Sequence, residues 1–134
     1  MRGGEDDDVE VLSSRVLYRC RDFERLRRFY QDTVGLRPYR EYGREGAIAG
    51  VVLFLGGGFL ELTRGPDPSP SITLWLQVHD AALEEARLRL AGVTVAKAVE
   101  RMPWGLVESW VHDPEGNELR LVEVPEDHPI RRRL

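Results

Sequence analysis

A chain of 134 residues, of which 42% are hydrophobic, is long enough to form one compact domain with a hydrophobic core. Its 19 basic and 23 acidic residues give a formal net charge of −4, which argues against a nucleic-acid-binding protein with a basic face. A single cysteine, Cys20, excludes an internal disulfide, and no apolar run approaches the length of a membrane span. We therefore expect a cytoplasmic protein that binds neither nucleic acid nor a membrane.

The first half of the chain has the pattern of a strand, a helix and three further strands. Residues 1–10 are acidic and contain glycine, and we expect this leader to be disordered. Alternating residues predict a strand over 13–20, after which Asp22 caps a helix that Gly35 ends. Three more strands are predicted over residues 37–44, 47–55 and 59–63.

The second half has the same pattern, after a proline-rich linker at residues 65–70. A strand is predicted over residues 71–79, and Asp80 caps a second helix that ends at Gly92. In that helix, the residues at helical spacing are Leu83, Ala86, Arg87 and Leu90. The remaining strands are predicted over residues 93–100 and in a β-hairpin within residues 104–124.

The two halves are predicted to be structural repeats. The spacing from Asp22 to Gly35 differs by one residue from the spacing between Asp80 and Gly92, and each half reads βαβββ. We therefore predict an α+β fold of two βαβββ modules, residues 11–64 and 71–124, related by a pseudo-twofold axis. Residues 125–134 form a tail without periodicity, which ends in a run of three arginines.

Four short motifs occur in order along most of the chain. They are Asp22-Phe23-Glu24 leading to Phe29-Tyr30 and Val34-Gly35-Leu36, then Phe59-Leu60-Glu61-Leu62, then Pro103-Trp104-Gly105, and then Asp113-Pro114-Glu115-Gly116-Asn117. Together they resemble the vicinal oxygen chelate superfamily, which includes glyoxalase I, the bleomycin-resistance proteins and extradiol dioxygenases. The resemblance implies two curled mixed sheets that form a cup with helices outside. It also implies a homodimer, often with cups built across the chain interface.

The resemblance also identifies the positions at which the metal enzymes of the family carry ligands. These are Arg15 and Thr73 on the first strand of each half, and Glu61 and Arg120 on the last strand. Only Glu61 is a plausible ligand, because a guanidinium is a permanent cation without a lone pair to offer. We therefore predict no metal site and no cofactor, and we expect Arg15 and Arg120 to pair with Glu61 instead.

Strand alternation places aromatic side chains in the same cup. Thr73 and Trp75 share one face of a strand, Trp110 is expected to face inward, and Trp104 is expected in a loop at the cup mouth. An aromatic wall with a few charges suits a planar or amphipathic organic ligand. The alternative is that Trp75 and Trp110 are plain core residues. The predicted ligand-binding set is Arg15, Glu61, Thr73, Trp75, Trp104, Trp110 and Arg120.

Two functional interpretations remain open at this point. In the first, the protein resembles the bleomycin-resistance branch and sequesters a small, partly aromatic or anionic molecule, such as an antibiotic or secondary metabolite. In the second, it is a lyase, isomerase or dioxygenase with a divergent site, in which Glu61 is the general base. The missing metal ligands favour the first interpretation. A third possibility is a structural or partner domain that binds no small molecule.

Overall fold

The computed structural model describes residues 9–130, so most of the predicted disordered leader, residues 1–10, and the arginine run at 131–133 lie outside the described range. The first module contains β1 (Arg15–Arg19), α1 (Phe23–Arg28), β2 (Pro38–Arg44), β3 (Ala47–Leu55) and β4 (Gly58–Thr63). A π-helical segment, Phe29–Val34, continues α1 without a break. The second module contains β5 (Thr73–Gln77), α2 (Ala81–Leu90), β6 (Thr94–Arg101), β7 (Val107–His112) and β8 (Glu118–Glu123).

Each module forms a four-stranded mixed sheet with the same topology. The strand orders are β1-β4-β3-β2 and β5-β8-β7-β6, and neither sheet closes into a barrel. In each sheet the first strand runs parallel to the last, and the other pairs are antiparallel. The prediction of an α+β fold made of two βαβββ modules is therefore confirmed. Within the described residues, no strand pairs with the outer edge of β1 or of β5.

The larger of two hydrophobic clusters in residues 9–130 lies between the two modules, and the smaller one contains Leu106, Val122 and Val124. The larger cluster, which is the shared core, contains Phe23 and Leu26 of α1, Leu60 of β4, Leu88 of α2 and Leu119 of β8. Because side chains alternate along a strand, the residues between these core positions point to the opposite face of each sheet. We call these opposite faces the first and second site faces. They lie outside the shared core, so one chain presents them as two separate surfaces.

The predicted helix caps are confirmed, but the leucines at helical spacing in α2 do not mark its buried side. The carboxylates of Asp22 and Asp80 accept hydrogen bonds from the first turns of their helices. Leu83 and Leu90, however, are 63% and 92% exposed, and α2 instead buries Ala81, Glu85 and Leu88. Glu85 tolerates burial because its carboxylate accepts hydrogen bonds from the Ser109 hydroxyl, the backbone N–H of Val99 and the Arg89 guanidinium.

No helix between residues 9 and 130 has the length and apolar character that a membrane crossing requires.

The turn between β7 and β8 also joins the two modules. Asp113 is buried, and its carboxylate accepts hydrogen bonds from the Tyr30 hydroxyl at 2.7 Å and the Asn117 side-chain amide at 2.8 Å. The neighbouring carboxylate of Glu115 accepts from the Tyr18 hydroxyl and from two backbone N–H groups at the start of α1. The hairpin turn is thus confirmed, and its acidic residues hold the second module against the first.

Candidate functional site

Glu61 lies at the centre of the first site face, and both of its carboxylate oxygens are occupied. Its side chain is 15% exposed on β4. One oxygen accepts a hydrogen bond from the Arg15 guanidinium at 2.7 Å, and the other accepts from the Tyr42 hydroxyl at 2.5 Å. The predicted pairing of Glu61 with Arg15 is therefore confirmed.

This network keeps Glu61 ionised and Tyr42 neutral. Burial acts to raise the pKa of Glu61, but the hydrogen bonds from Tyr42 and Arg15 outweigh it and hold that pKa below the ordinary value of 4.5. Burial and the neighbouring Glu61 raise the pKa of Tyr42 to about 12. A carboxylate with a lowered pKa and two occupied oxygens is a poor proton acceptor. The arrangement therefore argues against Glu61 as a general base.

Acid is expected to remove the stability that Glu61 contributes. Because its pKa is lower in the folded than in the unfolded chain, that contribution is present above the ordinary value of 4.5 and is lost as the pH falls through the folded pKa. Glu61→Gln is expected to cost about 1 to 3 kcal/mol at neutral pH, and this difference from the wild type should shrink as the pH falls below 4.5. Urea unfolding of both proteins across that range measures it. A difference that stays constant with pH would contradict this assignment.

The predicted pairing of Arg120 with Glu61 is wrong. The Arg120 guanidinium donates to Glu118 at 2.7 Å and lies 3.9 Å from the ring centroid of Trp110. The reason is that Arg120 lies on β8 in the second sheet, whereas Glu61 lies on β4 in the first, and the shared core separates the two site faces. The second hydrogen-bond partner of Glu61 is Tyr42 rather than Arg120, and the sequence analysis did not identify it.

A glycine in β3 allows Tyr42 to reach Glu61. Tyr42 on β2 is directly opposite Gly50 on β3, and its ring lies over the glycine. A Cβ atom built on Gly50 would lie 2.5 Å from both Cζ and Oη of Tyr42, so no other residue leaves room for the ring. A single glycine inside an otherwise apolar strand was the available sequence signal for this close approach.

Substitution of Gly50 by alanine is expected to displace the Tyr42 ring. One hydrogen bond to Glu61 would then be lost, and we expect the free energy of unfolding to fall by about 1 to 3 kcal/mol. Gly57→Ala is the matched control, because a Cβ atom there meets nothing within 4 Å. Chemical denaturation of both variants tests the prediction, and equal stability of the two would contradict it.

Three aromatic rings extend the first site face beside this charged network. The ring centroids of Tyr39, Phe54 and Phe59 lie 5.0 to 5.3 Å from one another. Tyr39 and Phe54 are 52% and 42% exposed, and the Arg15 guanidinium lies 5.7 Å from the Phe59 centroid. The sequence analysis identified neither Tyr39, on the mostly polar strand β2, nor Phe54, near the end of the apolar strand β3. The face therefore offers exposed rings next to a guanidinium.

The second site face brings together four of the predicted site residues. Thr73 and Trp75 are exposed on β5, and Trp75 is directly opposite Arg120 on β8. Trp110 on β7 is also opposite Arg120, and the Arg120 guanidinium lies over the Trp110 ring. Trp75 is 45% exposed and is not a core residue, while Trp110 is half-buried.

Trp104 lies in the loop between β6 and β7, where it was predicted. It is 53% exposed, and its indole N–H donates to Glu108 at 2.8 Å. The tail packs against this loop through a contact of 3.0 Å between Nε2 of His128 and the carbonyl oxygen of Trp104. Of the other histidines, His79 is exposed and His112 is half-buried.

The donor atoms in the described chain do not fit a metal centre. Between residues 9 and 130 there is no group of three or more His, Cys, Asp or Glu side chains placed to hold a metal ion. At the four family positions, Arg15 and Arg120 are cations, Thr73 is exposed, and Glu61 is already hydrogen-bonded through both oxygens.

Cys20 faces the core, and burial raises the pKa of its thiol to about 12, so it is an inert thiol.

Known structures share this fold. TioX from Micromonospora sp. ML1 matches with a TM-score of 0.75 at 21% identity, over 84% of this chain and 98% of TioX. TnmS3, an antibiotic binding protein from Streptomyces sp. CB03234, matches with a TM-score of 0.71 at 22% identity, over 88% of this chain and 99% of TnmS3. Lactoylglutathione lyase from Agrobacterium tumefaciens matches with a TM-score of 0.63 at 18% identity, over 87% of this chain and 94% of the lyase.

These similarities show the fold alone, and the three proteins include both a binding protein and an enzyme. No protein in a search of curated sequences matches the chain. A family model does match, and it covers residues 13–121. The chain belongs to the Glyoxalase/Bleomycin resistance protein/Dioxygenase superfamily.

Proposed function

We propose that this chain is a metal-independent binding protein that sequesters a small, planar, partly aromatic or anionic organic molecule. The observation that carries the proposal is that both site faces pair an aromatic ring with a guanidinium, Arg15 with Phe59 and Arg120 with Trp110. Exposed rings can stack on a planar ligand, and guanidinium N–H groups can bind its carboxylate, phosphate or phenolate. Binding of this kind requires neither a metal nor a general base.

The residues at the family's metal positions support the same proposal. One carboxylate and two permanent cations do not form a ligand set for a divalent ion, and the carboxylate of Glu61 is held by Arg15 and Tyr42. The similarity to TnmS3, which is described as an antibiotic binding protein, supports an antibiotic or a related natural product as the ligand class.

We further infer that a second copy of the chain completes the site. Both site faces are open in one chain, and Leu17 and Trp75 on them are 66% and 45% exposed. A groove of about 710 Å³ also separates the outer edges of β1 and β5; its apolar lining includes Val16, Leu36, Leu55, Leu74 and Leu76. Exposed strand edges beside apolar surface are normally covered in native proteins. In a twofold dimer, the first site face of one copy would lie opposite the second site face of its partner.

Ligand titration followed by tryptophan fluorescence tests the proposal. Planar aromatic acids and natural-product antibiotics are added to the purified protein, and mixtures are analysed afterwards for chemical change. We expect saturable quenching that survives chelator treatment, with the ligand recovered unaltered. Trp75→Ala should weaken binding, whereas Leu83→Ala, on the exposed side of α2, should not. Conversion of the ligand, or loss of binding when a stoichiometric transition metal is removed, would contradict the proposal.

A further inference from the structure

Glu108 is a buried carboxylate on the second site face with an unusual pair of partners. It is 2% exposed on β7, and no cationic side chain within residues 9–130 forms an ion pair with it. One oxygen accepts a hydrogen bond from the indole N–H of Trp104 and the other from the indole N–H of Trp110, both at 2.8 Å. The two tryptophans are therefore the hydrogen-bond donors that satisfy this buried charge.

This arrangement determines how the two rings are oriented. A buried carboxylate is costly unless both oxygens are hydrogen-bonded, so Glu108 and the two indoles hold each other in place. An indole has a single N–H donor, located on its edge. Donation to Glu108 fixes that edge and leaves the ring faces of Trp104 available for stacking.

Trp104 is the ring that depends most on this contact. Its loop is already held by backbone hydrogen bonds between Met102 and Leu106 and between Gly105 and Met102. Its ring is 53% exposed and gains little orientation from packing. With the backbone held, rotation of the side chain is the remaining freedom, and the hydrogen bond to Glu108 restricts it.

We propose that Glu108 is a positioning residue of the binding site, which orients Trp104 as a preorganised stacking surface and holds Trp110 beneath Arg120, without touching the ligand. The proposal rests on the proposed function for its ligand, which it narrows to a planar aromatic anion. Such a molecule places its rings against the Trp104 indole and its charge near Arg120, which lies over the ring of Trp110. Preorganisation raises affinity because the ring orientation is set before the ligand binds.

Glu108→Gln tests the positioning role without any ligand. A glutamine amide has the same shape but a single acceptor oxygen, so one indole loses its partner. Indole ¹⁵N–¹H spectra should show a shift and faster solvent exchange for Trp104 or Trp110. Trp75, whose indole N–H has no hydrogen-bond partner among the described residues, should stay unchanged. Unaltered Trp104 and Trp110 signals in Glu108→Gln would overturn the proposal.

Glu100→Gln is the matched control for these spectra. Glu100 is directly opposite Glu108 on β6 and pairs with Lys97 at 2.8 Å, but it bonds to no tryptophan. Its substitution should leave the Trp104 signal in place. Thermal melting establishes that each variant is folded, and if Glu108→Gln does not fold, Trp104→Phe carries the affinity test because it removes one donor and keeps an aromatic ring.

The affinity test uses 8-anilinonaphthalene-1-sulfonate, an aromatic anion, as the probe. Glu108→Gln and Trp104→Phe should each weaken probe binding by about 3- to 10-fold. The affinity of the double variant should equal that of the single variant with the lower affinity. Additive losses would overturn the positioning role. Failure of the wild type to bind the probe would count against the proposed ligand class, while the indole spectra would still decide the role of Glu108.

Discussion

Asp113→Ala is expected to lower the free energy of unfolding by about 3 to 5 kcal/mol, the largest stability loss that we predict. The carboxylate is 5% exposed and accepts four hydrogen bonds. These come from the Tyr30 hydroxyl, the Asn117 side-chain amide and the backbone N–H groups of Glu115 and Asn117. Alanine would leave these donors without an acceptor, and the Tyr30 ring beside them is 1% exposed.

The loss should extend beyond the turn, because Asp113 contacts the first module through Tyr30. Urea unfolding measures the change directly, and the melting temperature should fall by roughly 10 to 20 °C. Tyr30→Phe removes one of the four hydrogen bonds and should cost about 1 to 2 kcal/mol. Asp32→Ala, an exposed aspartate in the adjoining π-helical segment, should be nearly neutral. A loss below about 1 kcal/mol for Asp113→Ala would show that the network does not join the modules.

Local signals explain why the fold was predictable from the sequence. Asp22 and Asp80 cap helices because a short acidic side chain reaches back to the first turn, whatever the rest of the chain does. Gly35 ends the helical segment at φ +94°, a conformation that favours glycine. The hairpin turn depends equally on nearby residues, with Gly116 at φ +86°. Repetition of such signals in the two halves then predicts two similar modules.

The partners of charged side chains were less predictable, because they depend on contacts across the fold. Strand alternation placed Arg120 correctly on the same side of the second sheet as Trp110, yet it gave no indication that the shared core separates Arg120 from Glu61. The same limitation applies to α2, where Glu85 is buried because Ser109, far away in sequence, supplies a hydroxyl. Periodicity treats every glutamate as polar surface and therefore selected the exposed leucines.

Tyr42 and Glu108 show where site prediction from a sequence stops. Alternation assigns a side chain to a face, but it does not identify the group to which that side chain bonds. Tyr42 reaches Glu61 because Gly50 leaves space for the tyrosine ring. Glu108 tolerates burial because the indole N–H groups of Trp104 and Trp110 donate to its carboxylate. Each arrangement requires the register of paired strands, which the single sequence does not specify.

Val16→Glu is expected to dissociate the proposed dimer and to weaken ligand binding with it. Val16 is 36% exposed in the single chain, so a glutamate there can remain hydrated in a monomer. The same position lines the apolar groove between the edges of β1 and β5, where a partner would remove the carboxylate from water. Burial of an unpaired charge should weaken association by at least about 2 kcal/mol, or roughly 30-fold in the dimer dissociation constant.

Sedimentation at micromolar concentration compares Val16→Glu with the wild type and with Leu83→Glu. Leu83 is an equally apolar residue, 63% exposed on the outer side of α2 and away from the groove, so its substitution should leave a dimer. Fluorescence titration of the same samples then links assembly to function. Because each site face holds only part of the aromatic and guanidinium groups, a monomer should bind the ligand at least about tenfold more weakly. A monomeric Val16→Glu protein that binds with wild-type affinity would show that one chain is sufficient for the site.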